Sequence, residues 1–230
     1  MSQNPPADLT PAATVVVVRD GAHGPQLLML HRSSKGAFGG HWVFPGGKVD
    51  PADHVTGDSD PLAPFRRAAV REAAEEADVR LEIADLITLS YWEPPPSQPR
   101  RFATWFFLAA SPSGDVTIDG HEIHDHAWLT PVEVMARRDR GEVELAAPTW
   151  MTLYQVSAHP DVATLLEAER CRPTPEFRTH MGRTADGLPT TLWSGDVGYQ
   201  EHDASLTGER NRLVMDPDGW RYEGRFPGLS

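Results

Sequence analysis

One cysteine, Cys171, stands in 230 residues, so no disulfide can form within the chain. A thiolate-rich zinc module is excluded on the same ground. Basic residues are scarce: 21 Lys and Arg stand against 33 Asp and Glu, a formal charge of −12. That balance speaks against a broad surface tracking nucleic-acid phosphates or an anionic membrane. It leaves room for a small anionic substrate met by a local cation. No apolar run approaches the roughly eighteen residues a membrane span needs. The opening MSQNPPADLTP lacks the basic and apolar regions of a secretory signal. A cytoplasmic protein with neither nucleic acid nor membrane as partner is the expectation.

What is present is enough for a real core, with 40% apolar residues. Residues 1–10 read as a flexible leader. AATVVVVRD (12–20) and QLLMLHR (26–32) read as buried strands around a turn. A glycine-rich loop with Gly36, Gly39 and Gly40 follows, without the Lys-Ser/Thr ending of a phosphate loop. A helix is expected from about Pro61 to Ala77, capped by Asp60. Strands follow over 81–92, 101–110 and 126–130, then helices opening near Pro131, Pro148 and Asp161. From about Cys171 the chain turns to short segments between Asp-Gly turns, Asp186-Gly187 and Asp218-Gly219, which suggest hairpins. The order implies an α+β fold with a mixed sheet. A main domain over 11–158 and an extension over 159–230 packed on it are the expected division.

The stretch VREAAEEADV (70–79) concentrates carboxylates. At helical spacing Glu72, Glu75 and Glu76 share one face, and Val70, Ala73, Ala74 and Ala77 the other. Glu72 and Glu76 repel at i,i+4 unless a cation compensates, and Arg71 reaches only Glu75 at that spacing. A solvated helix face explains the pattern as easily as a hard-cation site would. Upstream, FPGGKVDPAD (44–53) supplies tight backbone beside the helix.

Together Gly46, Gly47, Asp53, Arg71, Glu72, Glu75 and Glu76 resemble the Nudix box. The chain departs from it in three places. Asp53 stands for a glutamate, and Asp78 stands for the glycine after the helix. Seventeen residues separate Asp53 from Arg71, ten more than the pattern has, which places an insertion at about 54–63 within a box spanning 47–79. The resemblance implies an α/β/α sandwich, with a C-terminal helix and β-hairpin extension added here, that hydrolyses a nucleoside diphosphate linked to another group. It implies Mg²⁺ or Mn²⁺ held by Glu72, Glu75, Glu76 and the Gly46 carbonyl. It puts Glu72, Arg71 and Glu122 in the catalytic set, with Glu72 and Glu122 as alternative bases, and gives Asp53 an orienting role. A homodimer is a further expectation from the family.

RSSK before FPGG, the inserted loop, and the later APTWMTL (147–153) and LWSGDVGY (192–199) are similar to the peroxisomal-type coenzyme A diphosphatases with an interrupted box. The chain ends without their peroxisomal address. Ala37 stands where a related coenzyme A motif has arginine. Arg32, Ser33, Gly47, Arg100 and Arg101 are the candidate substrate contacts. The implied reaction yields adenosine 3′,5′-bisphosphate and (acyl-)phosphopantetheine. ADP-ribose, NADH or another nucleoside diphosphate conjugate is the alternative substrate, and a non-catalytic nucleotide-binding module is the alternative class. His121, His124 and His126 lack companion ligands for zinc and read as surface or substrate-edge groups.

Overall fold

Consecutive β-branched residues leave no polar face, and Val15 to Val18 are fully buried on both sides of strand β1 (Thr10–Gly21). The computed structural model describes residues 9–33, 40–111 and 115–226. Gly36, Ala37 and Gly39 lie outside the described residues. β2 (Gly24–Arg32) pairs antiparallel with β1 only from Val18↔Leu27 to Gly21↔Gly24. Beyond Leu27 the two strands part, and residues 42–48 fill the opening. There β3 (Trp42–Val43) pairs with β2 and β4 (Gly46–Lys48) pairs with β1. This wedge brings the Gly46-Gly47 backbone to the edge of the next helix.

That helix, α1 (Ala63–Ala77), is followed by β5 (Ile87–Glu93), β6 (Phe102–Ala110) and β7 (Ile123–Leu129). Helices α2 (Pro131–Asp139), α3 (Ala147–Val156) and α4 (Val162–Cys171) come next, then β8 (Glu176–Arg178). These strands make one eight-stranded mixed sheet, with β6 parallel to β1 and β8 parallel to β5. Ala68, Ala69, Ala73 and Ala77 pack α1 on one face against Ala13, Val15, Val17 and Phe107. Methyl-sized side chains let the helix approach the sheet closely. On the other face Val16, Val18 and Met29 meet Trp150, Met151, Leu153 and Leu165 of α3 and α4. The fold is therefore the α/β/α arrangement of the α+β class.

The remaining strands, β9 (His180–Arg183), β10 (Pro189–Leu192), β11 (Asn211–Asp216) and β12 (Gly219–Gly224), form a separate four-stranded antiparallel sheet. The first hairpin turns at Asp186-Gly187 as expected, with Gly187 at φ 88°, and the second turns one residue early, at Pro217-Asp218, with Gly219 already paired to Asp216 in β12. They are joined side by side through β10 and β11. The back of this sheet carries Arg212, whose side chain is fully buried and grips Asp196 through two bonds of 2.6 Å. Asp196 also accepts the Gly198 and Asn211 N–H groups, which pins the intervening loop to the sheet.

Several boundaries differ from the sequence expectation; β2 starts at Gly24 and not at residue 26, and the strand expected over 126–130 runs from Ile123 to Leu129. Thr10, assigned to the leader, already bonds the Arg101 carbonyl at 2.9 Å as the first residue of β1. The strand expected from residue 81 starts at Ile87, because Ile83–Asp85 forms a 3-10 turn that tucks Leu81 and Leu86 under α1. Asp60 lies outside α1, where its carboxylate and carbonyl take the Leu62 and Ala63 N–H groups at 2.8 and 3.0 Å.

Candidate active site

Arg71, on the polar face of α1, organises the box. Its guanidinium donates to Asp53 at 3.0 and 3.4 Å, to Glu72 at 2.9 Å, to Glu75 at 3.2 Å and to the Lys48 carbonyl at 2.9 Å. The cation is stabilised first by Asp53 and then by Glu72, which raises its pKa further. Asp53 is buried. Burial alone would raise its carboxyl, but the hydrogen bonds from Arg71 and the Asp50 N–H outweigh that and hold it below its ordinary value. The shorter reach of Asp at this position is thus sufficient. Arg67 clamps the inserted loop from the same helix, bonding the Asp53 carbonyl at 2.6 Å and the Asp58 carboxylate. The ten additional residues loop out without moving Asp53 from Arg71.

Glu72 and Glu76 flank the Gly46-Gly47 backbone. A Cβ on Gly47 would stand 2.2 Å from a Glu72 carboxylate oxygen, so only glycine lets the carboxylate sit there. Glu76 accepts the Gly46 N–H at 3.0 Å and an Arg32 N–H at 3.0 Å. Burial raises both carboxyls, Glu72 against the opposing pull of Arg71 and Glu76 up to about 7. Each carboxylate is partly stripped of water, and Glu72 and Glu122 add their repulsion to Glu76. Glu75 is more exposed, with its side chain 59% accessible.

Glu122 reaches this cluster through β7. The register with β2 slips between His31 and Arg32, which sets Arg32 beside Ile123. Arg32 then bridges Glu76 and Glu122, the latter at 2.5 Å. Asp119 fixes the approach by accepting the N–H groups of His121, Glu122 and Ile123 at 3.0–3.2 Å. Burial opposes the ionisation of Asp119, but these three donors outweigh it and hold its pKa low. Ser33 completes the frame with its own N–H on the Glu122 carbonyl at 2.8 Å. Asp119 was not singled out from the sequence; its signal is an Asp placed two to four residues before three otherwise free N–H groups.

The helix ends as a glycine-terminated helix would. Asp78 adopts φ 50°, ψ 30°, and its N–H bonds the Ala74 carbonyl at 3.1 Å while Val79 bonds Ala73 at 3.1 Å. Aspartate therefore accepts the left-handed position, at a local cost of about 1 kcal/mol relative to glycine.

Arg32, Gly46, Gly47, Glu72 and Glu122 line a single cleft of about 950 Å³. Arg100 lines it as well. Arg101 does not: its guanidinium turns to the Pro94 carbonyl at 3.1 Å and to Glu93 at 3.6 Å, at the base of the Pro-rich loop. His124 and His126 lie on β7. Among the described residues no three His, Cys, Asp or Glu converge on a common metal position. Instead Glu72 and Glu75 share Arg71, and Glu76 is held by Arg32 and Gly46. The donor set still fits a hard divalent cation: carboxylate oxygens on adjacent turns, two of them desolvated and mutually repelling, beside a carbonyl-bearing glycine pair.

The NUDIX domain family pattern matches residues 8–148. A Caenorhabditis elegans protein named "Putative nudix hydrolase 7" is 26% identical over 235 residues, which cover 84% of this chain and 77% of that one. Among solved structures, a NUDIX hydrolase from Alicyclobacillus acidocaldarius is similar with a TM-score of 0.61 at 26% identity, over 70% of this chain and 96% of that one. The NUDIX domain of Shewanella oneidensis NrtR, solved with ADP ribose, shares the fold with a TM-score of 0.50 at 18% identity, over 65% of this chain and 86% of that one.

Proposed function

Because this chain belongs to the Nudix family and is a hydrolase of that family, we propose that it cleaves the diphosphate of coenzyme A or acyl-coenzyme A. The observation that carries this reading is the cleft. It runs without interruption from Glu72, Gly46 and Glu122 to Met181 and Trp220 of the C-terminal sheet, at the upper end of small-molecule site volumes. A substrate with a long group beyond its diphosphate suits that shape better than a compact nucleotide does. The interrupted box and the sequence blocks of the extension support the same reading.

Nudix hydrolases use divalent cations. Here Glu72, Glu75, Glu76 and the Gly46 carbonyl would hold them, and they would neutralise the diphosphate and activate water. The protein's own groups do the rest. Arg71 keeps Glu72, Glu75 and Asp53 in fixed positions. Arg32 stands at the cleft wall between Glu76 and Glu122, where it can bind a phosphate oxygen. A water oxygen attacks one phosphorus and the bridging P–O bond breaks. Glu122 or Glu72, both lining the cleft, takes the water proton, and two phosphomonoesters leave.

The test is a panel of coenzyme A, acyl-coenzyme A, ADP-ribose, NADH and nucleoside triphosphates incubated with Mg²⁺ or Mn²⁺, with products resolved by chromatography. Adenosine 3′,5′-bisphosphate from coenzyme A is the expected product. Turnover of ADP-ribose or NADH alone would overturn the assignment of substrate.

A further inference from the structure

We propose that the cleft-facing side of the C-terminal sheet is a subsite for a neutral, largely apolar chain carrying a hydrogen-bonding group, with Thr191 as its specificity-determining residue. The subsite would take the part of the substrate beyond the diphosphate, so the proposal rests on the reading of the cleft as the substrate site.

The strand registers put the relevant residues on one face. Thr191 pairs with Met181 on one side and Leu213 on the other, and Met215 pairs with Trp220. Side chains alternate along a strand, so Met181, Thr191, Met215 and Trp220 point the same way. All four line the cleft, together with Thr179 one alternation from Met181. The opposite face, with Arg212 and Leu192, is buried against the loop that Asp196 pins.

This wall differs in character from the other end of the cleft. Arg32, Lys48, Asp50, Glu72 and Glu122 gather around the Nudix helix, whereas the residues that the C-terminal sheet contributes carry no charge. Met181, Met215 and Trp220 are half-buried, leaving thioether and indole surface open to a ligand. The Arg138 guanidinium stacks on the Trp220 indole at 4.3 Å and fixes the ring. Behind this apolar rim sits Thr191, only 4% exposed, and its hydroxyl has no hydrogen-bond partner among the described residues. Thr179, by contrast, uses its hydroxyl to accept from the Trp193 indole N–H at 3.1 Å. A buried hydroxyl left unpaired is unfavourable in the free protein, and a ligand amide or hydroxyl could satisfy it. A second charged nucleotide would meet no charged side chain among the cleft-lining residues of this wall.

Pantetheine, a neutral amide-bearing chain, is the probe. Its dissociation constant can be read from the methionine methyl resonances of the intact protein, without metal and without turnover. Met181 and Met215 should shift on titration while the fully buried Met151 does not. Thr191→Val should weaken pantetheine binding about three- to tenfold, and Thr191→Ser should restore it. Binding of adenosine 3′,5′-bisphosphate should be unchanged in both variants. No shift at Met181 and Met215, or equal affinity in the wild type and Thr191→Val, would overturn the subsite. Neither outcome depends on hydrolysis, so failure here is distinct from failure of coenzyme A turnover.

Discussion

Replacing Glu76 with glutamine should stabilise the metal-free protein at pH 8 and destroy its activity. The reasoning starts from a carboxyl whose side chain is 5% exposed and whose pKa is pushed by burial to about 7. In the unfolded chain the group ionises near 4.5. As pH rises, the unfolded state loses the proton first, so the group's contribution is fully present below pH 4.5 and is lost as pH passes through about 7. At pH 8 the ionised side chain costs the folded state about 3 kcal/mol. Glutamine removes that cost but turns an amide group toward the Gly46 or Arg32 donor, which opposes the gain by about 1–2 kcal/mol. The net gain at pH 8 is about 1–2 kcal/mol, or roughly 3–6 °C in melting temperature for a chain of this size. At pH 5 the wild-type group is largely protonated in the fold, so the advantage shrinks by about 2–3 kcal/mol and reverses. Thermal melts of both proteins in chelator at the two pH values test this. A Glu76→Gln protein that melts below the wild type by the same amount at both pH values would refute the reasoning.

Asp78→Gly removes left-handed strain and a negative charge at a helix C-terminus, and should stabilise by about 1 kcal/mol in denaturant unfolding with activity retained. Gly47→Ala forces Glu72 from its place beside the backbone, and should lower kcat by at least about tenfold while the melting temperature changes little; steady-state kinetics read this directly. Asp196→Asn breaks a fully buried, doubly bonded pair with Arg212 and should cost about 3–5 kcal/mol, seen as early loss of amide protection in β10 and β11 by hydrogen exchange. Glu122→Gln should slow single turnover at saturating Mg²⁺ by about 10²-fold or more, and a near-wild-type rate would leave Glu72 as the base.

Much of this was legible in the chain because local chemistry and fold agreed. Val15 to Val18 could only be a buried strand, and Ala73 and Ala77 bury as the helical spacing predicts, whereas Ala74, assigned to the packed face, is exposed and Glu76, assigned to the polar one, is buried. The arrangement of Gly47, Arg71, Glu72 and Glu76 survived an insertion because Arg67 and Arg71 both hold Asp53 at the start of the loop and Arg67 also takes Asp58 within it. What the sequence concealed depends on long-range pairing. Nothing local indicates that Arg32 would bridge Glu76 and Glu122, since 44 and 90 residues separate those pairs. The two C-terminal hairpins gave no sign of joining into one sheet whose inner face walls the cleft. Arg101 looked like a phosphate contact beside Arg100, but just ahead of β6 its guanidinium turns back to Pro94 and Glu93 at the base of the Pro-rich loop, a fold-back that no local pattern announces.

Phosphorus NMR of coenzyme A during incubation with the protein and Mg²⁺ follows the bond at issue. The diphosphate resonances should decay and be replaced by two new phosphomonoester resonances, with the ribose 3′-phosphate retained and no orthophosphate released. Glu76→Gln, folded and at the same concentration, should leave the spectrum unchanged. Persistence of the diphosphate resonances with wild-type protein, in a sample that turns over ADP-ribose, would contradict the account.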